Sequence, residues 1–206
     1  MTDWPFAHLT PMKYGAILAD PPWSYKMRSD KGYQKSPEAH YSTMNIEQIA
    51  ALPVHELAGP SCLLFMWTTW PHLETAYQVM RSWGFEPKTG GAWIKRTVNW
   101  KPAFGTGYVL RSATEPFIVG KIGKPQTGSK SERNLIDAPV ETFDMDAIPD
   151  MIDSLRREHS RKPIQMREMI DRLLPRAYKA ELFAREPWGD NDVWGNEMDK
   201  FAEGAA

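Results

Sequence analysis

Cysteine is nearly absent from this chain. The single Cys62 among 206 residues has no internal partner, so no disulfide framework holds the fold. Cys62 lies in the apolar run Ser61 to Met66 and reads as a buried strand residue, and a reducing cytoplasm is the expected setting. No run of about 18 apolar residues occurs, which excludes a transmembrane helix and makes membrane association unexpected. The start, Met1-Thr2-Asp3-Trp4-Pro5, lacks the basic and apolar regions of a signal peptide. Cys and His form no cluster of metal-ligand spacing, so no metal is expected. A formal net charge of -1 argues against indiscriminate attraction to nucleic acid. What remains is a chain with 42% apolar residues, enough for one α/β domain with a full core.

The small net charge hides segregation. Lys95 to Arg133 holds eight Lys and Arg (Lys95, Arg96, Lys101, Arg111, Lys121, Lys124, Lys130, Arg133) against Glu115 and Glu132. Arg156, Arg157, Arg161 and Lys162 form a second basic cluster, and Asp137 to Asp153 carries six acids and no base. Two readings stay open on charge alone: one cationic face for a polyanion, or solvated loops of opposite sign.

Tyr14 to Ala19 reads as a buried strand stopped by Pro21 and Pro22. Residues 24–44 are polar and read as a loop. Asn45 caps a helix through Leu52, with Gln48 at the capping-box position. Leu63 to Trp67 is a second buried strand, and His72 to Trp83 a helix with Leu73, Ala76, Tyr77 and Met80 on one face and Gly84 at its end. Ala92 to Lys95 and Phe117 to Gly120 are further strands. Residues 123–150, rich in Gly, Pro, Ser, Thr and Asp, form a long excursion. Pro163 to Leu174 is a helix and Tyr178 to Ala184 a last strand. Alternating strands and helices indicate an α/β fold with a mostly parallel sheet.

The chemistry concentrates at Asp20-Pro21-Pro22-Trp23, at the carboxyl end of the first strand, where open α/β sheets bind ligands. Adenine's exocyclic nitrogen is a poor nucleophile because its lone pair is delocalised into the ring. Two acceptors aimed at its N–H bonds favour a pyramidal nitrogen with a localised pair. The Asp20 carboxylate supplies one acceptor and the Pro21 carbonyl the other, because tandem prolines hold the chain extended and remove competing N–H groups. Asp20 also stabilises the positive charge that develops during methyl transfer. Trp23 offers a face for base stacking. An Asp-Pro-Pro that merely ends a strand is the competing reading.

The segment resembles the catalytic motif of the adenine amino-methyltransferases related to the catalytic subunit of the eukaryotic messenger-RNA methyltransferase. The resemblance continues in order through His40 to Met44, Leu64 to Thr68, Trp93 to Lys95, Gly105 to Tyr108, Arg111, Ala113 to Glu115, His159 to Pro163, Glu181 to Arg185 and Trp194 to Glu197. It spans about residues 14–198 and is closest to compact bacterial and phage members. It implies a Rossmann-like methyltransferase with helices on both faces of the sheet, permuted motif order and S-adenosylmethionine as cofactor. A single domain over 1–206 would divide into a catalytic half at about 14–122, the excursion at about 123–150 and a cofactor-binding half at about 151–198.

By that resemblance, Lys162, beside Ser160 and Pro163, contacts the methionine carboxylate near a helix start. Arg185, after Phe183, reaches the ribose, Asn196 and Glu197 bind the adenosine part, and Asp20 touches the cofactor's amino group. Tyr41, Trp67, Trp93, Arg111, Glu115 and His159 become substrate contacts, with core packing as the alternative for Trp67 and Trp93; Trp83 reads as core. The family's eukaryotic members carry long amino-terminal regions and pair with an inactive homologue. The histidine often found beside the family's lysine is replaced by Arg161. The expected reaction is methyl transfer to adenine N6 in nucleic acid, DNA ahead of RNA, with a homodimer compatible. Rival readings are a catalytically silent nucleic-acid-binding subunit, which the intact Asp20 motif and Lys162 oppose, and methylation of a protein amide, which Asp20 and Trp23 oppose.

Overall fold

A computed structural model describes residues 4–23, 44–105, 107, 109–140 and 161–195. Its strands are β1 (Tyr14–Ala19), β2 (Ala58–Trp67), β3 (Glu86–Arg96), β4 (Thr114–Ile122), β5 (Leu135–Pro139), β6 (Lys179–Leu182) and β7 (Asp192–Trp194). Its α-helices are α1 (Ile46–Ala50), α2 (Leu73–Ser82) and α3 (Gln165–Leu173), and a short 3-10 turn, Trp70–His72, leads into α2. Among the described residues, no helix is long and apolar enough to cross a membrane.

The strands join in one sheet of order β5-β3-β4-β2-β1-β6-β7. Pairings of β1 with β2 and β6, of β6 with β7 and of β3 with β5 are parallel; β4 runs antiparallel to β2 and β3. Six strands therefore share one direction. The reversal of β4 has a chemical consequence. Its first residues, Thr114 and Glu115, fall at the edge where β1, β2, β3 and β6 end, opposite Ile94 and Trp93 of β3.

The continuous apolar run of β1 is explained by burial on both faces. Ile17 and Ala19 join Leu64, Met66 and Leu182 in a core with Ile49 of α1 and Ala76, Val79 and Met80 of α2. Ala16 and Leu18 face the other way, with Phe65, Trp67 and Val119, onto Met166, Met169 and Ile170 of α3. Helices thus cover both faces of this α/β sheet. Cys62 and Trp83 are fully buried, and the Trp83 indole N–H donates to the Ile49 carbonyl at 2.8 Å.

Local chemistry fixes the element ends. Asn45 and Gln48 form a reciprocal capping box at α1, with bonds of 2.7 and 3.0 Å. Gly84 ends the α2 segment at φ 79°, a left-handed conformation that glycine adopts without a Cβ penalty. Pro163 precedes α3, whose cap residue is Ile164, so the helix starts two residues later than the sequence suggests. Two strands depart from the sequence reading. β5 lies inside the excursion at 123–150, and β7 follows the strand taken as last. β3 also extends back to Glu86, through a polar stretch with little apolar signal.

Candidate active site

Asp20 follows the last residue of β1, and its backbone N–H donates to the Leu182 carbonyl of β6 at 3.3 Å. Lys162, just before α3, reaches back to this edge. Its ammonium lies 3.0 Å from Asp20 Oδ2 and 2.9 Å from Glu115 Oε1. Lys95, at the end of β3, sits 2.6 Å from the other Glu115 oxygen. The result is an alternating chain, Asp20–Lys162–Glu115–Lys95, drawn from β1, the α3 approach, β4 and β3.

Burial alone would raise the Glu115 carboxyl. The charges of Lys162 and Lys95 outweigh burial and hold it down at about 2. Burial likewise works against the Lys162 ammonium, but Asp20 and Glu115 raise it above the ordinary lysine value. Both groups are therefore ionised at neutral pH. Lys162 also lies 5.8 Å from the centroid of the Trp67 ring.

Behind Asp20 runs a second ionic cluster. Arg167 of α3 donates from Nε to Glu181 of β6 at 2.8 Å and from Nη1 to Glu186 at 3.2 Å. Arg161 pairs with Glu186 as well. Burial raises the Glu181 carboxyl to about 7; Arg167 opposes this, while Asp20 and Glu186 add to it. A cleft lies between the two clusters. Asp20, Lys162, Glu181 and Arg185 line it with charge, and Leu18, Trp67, Met166 and Phe183 supply apolar wall. Phe183 takes a left-handed φ of 63° and packs edge-on against Trp194, with centroids 5.3 Å apart.

Several expectations need correction. Trp23 does not present a free stacking face. It is 5% exposed, one face stacks on His72 at 5.9 Å, and its indole N–H donates to the Trp67 carbonyl at 3.2 Å. The Pro21 carbonyl already accepts the Trp23 backbone N–H at 2.8 Å, which leaves one lone pair for another donor. Trp93 is 2% exposed and its N–H donates to the Ala138 carbonyl at 2.9 Å, so it packs β5 rather than a ligand. Arg111 is exposed away from the cleft, with its guanidinium 5.4 Å from the Phe104 ring, so any contact with substrate is made outside the cleft. The basic run from Lys95 is partly neutralised, since Lys95 serves Glu115 and Arg96 grips Asp137 at 2.7 and 2.9 Å.

Asp20, Lys162, Pro163, Phe183, Arg185 and Trp67 do come together around the cleft, with Glu115 behind Lys162. Trp67 is 1% exposed, and its indole N–H has no hydrogen-bond partner among the described residues. Pro22 is partly exposed beside buried Pro21. Tyr41, His159, Ser160, Asn196 and Glu197 lie outside the described residues. Sequence reasoning missed Glu181 and Arg167. Glu181 between Ala180 and Leu182 in the central part of a strand was the available signal, because a carboxylate buried there requires a base.

The sequence profile of the MT-A70 family matches residues 14–197. The chain is 32% identical to the type II methyltransferase M.MunI of a Mycoplasma species, over 95% of this chain and 82% of that protein. It is 30% identical to the N(6)-adenosine-methyltransferase MT-A70-like of Arabidopsis thaliana, over 84% of this chain but 22% of that protein. It is 29% identical to the human N(6)-adenine-specific methyltransferase METTL4, over 91% of this chain and 38% of the relative. The chain thus spans most of the bacterial relative and less than two fifths of these two eukaryotic ones.

Proposed function

The chain belongs to the MT-A70 family, and on that premise we propose that it carries a methyl group from S-adenosylmethionine to the exocyclic N6 amine of adenine in DNA. The observation that carries the reading is the Asp20 carboxylate at the end of β1, held 3.0 Å from Lys162 in a cleft of mixed charge. The residues present fit the cofactor. Lys162 and Arg185 offer cations for a carboxylate and hydroxyls, Asp20 an anion for an ammonium, and Phe183 and Trp67 apolar walls. The indole N–H of Trp67, without a partner among the described residues, provides a further donor. When bound, the cofactor supplies an electrophilic methyl on a sulfonium sulfur.

Asp20 accepts one N6–H bond and the remaining lone pair of the Pro21 carbonyl the other. This localises the nitrogen lone pair for in-line attack. The carboxylate then stabilises the positive charge that grows on N6, and the surplus amine proton leaves to water. Lys162 and Glu115 fix the orientation of Asp20, since a carboxylate paired with a partly buried cation that is itself held by a second carboxylate keeps one geometry. Trp23, locked between His72 and the Trp67 carbonyl, sets the turn that aims Asp20 and Pro21. In a duplex the adenine must leave the stack to reach this edge.

DNA is preferred over RNA because the relative matched over most of both chains is a bacterial type II methyltransferase. The relatives named for adenosine keep RNA as the second reading. The test is transfer of labelled methyl from S-adenosylmethionine to DNA, RNA and protein pools, followed by nucleoside mass spectrometry. N6-methyladenine in DNA is the expected product. Label confined to RNA moves the substrate to RNA, and label in protein overturns the reading. Asp20→Ala should stay folded and lose at least about a hundredfold in turnover. Near-normal turnover in the folded variant removes Asp20 from the chemistry.

A further inference from the structure

Between β3 and β4 the chain makes a loop, residues 97–113, rooted at both ends in the active site. Lys95 before it and Glu115 after it are neighbours in the ionic chain that ends on Asp20. The loop's own backbone is bonded. Thr97 N–H donates to the Lys101 carbonyl at 2.9 Å, Ala103 N–H to the Lys95 carbonyl at 2.8 Å, and Gly105 N–H to the Ser112 carbonyl at 3.0 Å. Glycine is required at its narrow end. A Cβ on Gly107 would lie 2.0 Å from the Leu110 carbonyl oxygen, and one on Gly105 2.4 Å from that of Ser112.

This bonded loop leaves its apolar side chains outside. Val109 and Leu110, at the narrow end, are 92% and 82% exposed, and Phe104 and Trp100 are exposed as well. Trp100 also holds a left-handed φ of 58°, a conformation bulky side chains seldom adopt and one found where local strain serves a site. The charges of residues 97–113 are Lys101 and Arg111, with no acid. Trp70, half exposed, anchors beside the loop through its indole N–H, which donates to Thr114 Oγ1 at 3.0 Å.

Exposed aliphatic tips flanked by cations, fixed at the rim of a site that acts on an extruded base, match what DNA-opening wedges require. Resting on the adenine-in-DNA reading above, we propose that the 97–113 loop is the duplex-opening element. Val109 and Leu110 enter the base stack at the position the target adenine vacates, while Lys101 and Arg111 hold the flanking phosphates. The partner is duplex DNA, chosen by the charge of the loop and by its attachment to the two ends of the catalytic ion chain. The chemical step is unchanged; the loop acts before it, on the cost of unpairing.

The test compares the wild type with V109S/L110S on three oligonucleotides of one sequence. These are a matched duplex, a duplex with an abasic site opposite the target adenine, and the single strand. Unstacking a base step costs a few kcal/mol, so loss of the wedge should lower kcat/KM on the matched duplex by about tenfold or more. The abasic duplex and single strand, already unpaired at the target, should stay within about twofold, since no stacked partner has to be displaced. A 2-aminopurine at the target position should brighten on binding wild type and fail to brighten with the variant. Equal rates on all three substrates overturn the wedge. Equal loss on all three, with a change in sedimentation from dimer to monomer, overturns it too and assigns the apolar tip to a copy-to-copy interface. Absence of N6-methyladenine from wild-type reactions on all three substrates would instead strike the underlying reading.

Discussion

Glu115 is the residue on which the electrostatics of the site turn. Without it, Lys162 would have a single anionic partner and would lie fully against Asp20, quenching the carboxylate proposed to receive the adenine amine. With it, the ammonium is shared between two carboxylates at 2.9 and 3.0 Å, and Lys95 balances the second Glu115 oxygen. Glu115→Gln should therefore lower turnover by about tenfold or more, the lower scale of losing a preorganised charge. Donor affinity should hold or rise, because one competing anion beside Lys162 disappears. Steady-state kinetics with varied S-adenosylmethionine separate the two effects. A raised KM with unchanged kcat would mean that Glu115 binds ligand rather than tuning Asp20. The same substitution should also destabilise the fold by about 2 kcal/mol, since it strips a charged partner from two partly buried lysines. Burial opposes ionisation of Glu115, yet Lys162 and Lys95 take its pKa to about 2, below the ordinary 4.5. Its contribution to stability is thus present above pH 4.5 and is lost as the pH falls toward 2.

At the scale of elements, the edge strand β5 shows what one missing side chain permits. Among the described strands β5 pairs with β3 alone, and Ala92 N–H donates to the Asn134 carbonyl at 3.1 Å where the pairing begins. A Cβ on Gly91 would stand 2.1 Å from that same carbonyl oxygen and 2.5 Å from the tip of Phe117. Gly91→Ala should detach β5, expose Ile136 and Ala138, and cost about 2 kcal/mol or more, on the scale of core overpacking. Urea unfolding, with hydrogen exchange read at the amides of residues 135–138, would show it. Full protection of those amides in the variant would contradict the packing argument. β5 was not legible in the sequence for a related reason. Its apolar signal is confined to Leu135, Ile136 and Ala138 in a polar excursion, and a strand so short is defined by the neighbour it pairs with. β1 and β2 were legible because both of their faces are buried, and α1 because its capping box is local. The site was legible to the same extent. Asp20 announced itself through the prolines that follow it. The link from Lys162 to Glu115 joins residues far apart in sequence, brought together by the reversal of β4, and the link from Arg167 to Glu181 depends on how α3 packs on the β6 that follows it. Trp23 and Trp93 misled because exposure is set by tertiary packing: both indoles donate to carbonyls inside the core.

Across the whole molecule, one sheet edge gathers three carboxylates, Asp20, Glu115 and Glu181, and treats them differently. Glu115 meets two lysines and stays ionised. Glu181, buried in β6, meets one guanidinium already shared with Glu186, and it also feels the charge of Asp20, so burial prevails and its pKa rises to about 7. The sign for stability follows. Below pH 4.5 both folded and unfolded chains hold the Glu181 proton, and the contribution is complete. As pH rises toward 7 the unfolded chain releases the proton while the folded chain keeps it, so stability falls through that window and the loss levels off above it. Glu181→Gln removes this titration. The melting temperature of the variant relative to wild type should climb between pH 5 and pH 8 by about 4 °C or more, for a chain of this size. A constant offset tests the competing possibility directly: lost pairing to Arg167 alone would lower the variant equally at every pH. A flat difference would therefore mean that Arg167 keeps Glu181 ionised across the range. In that case the cleft beside Asp20 carries one more negative charge at neutral pH, and Arg167 and Arg161 become the cations that keep Asp20 the strongest acceptor at this edge.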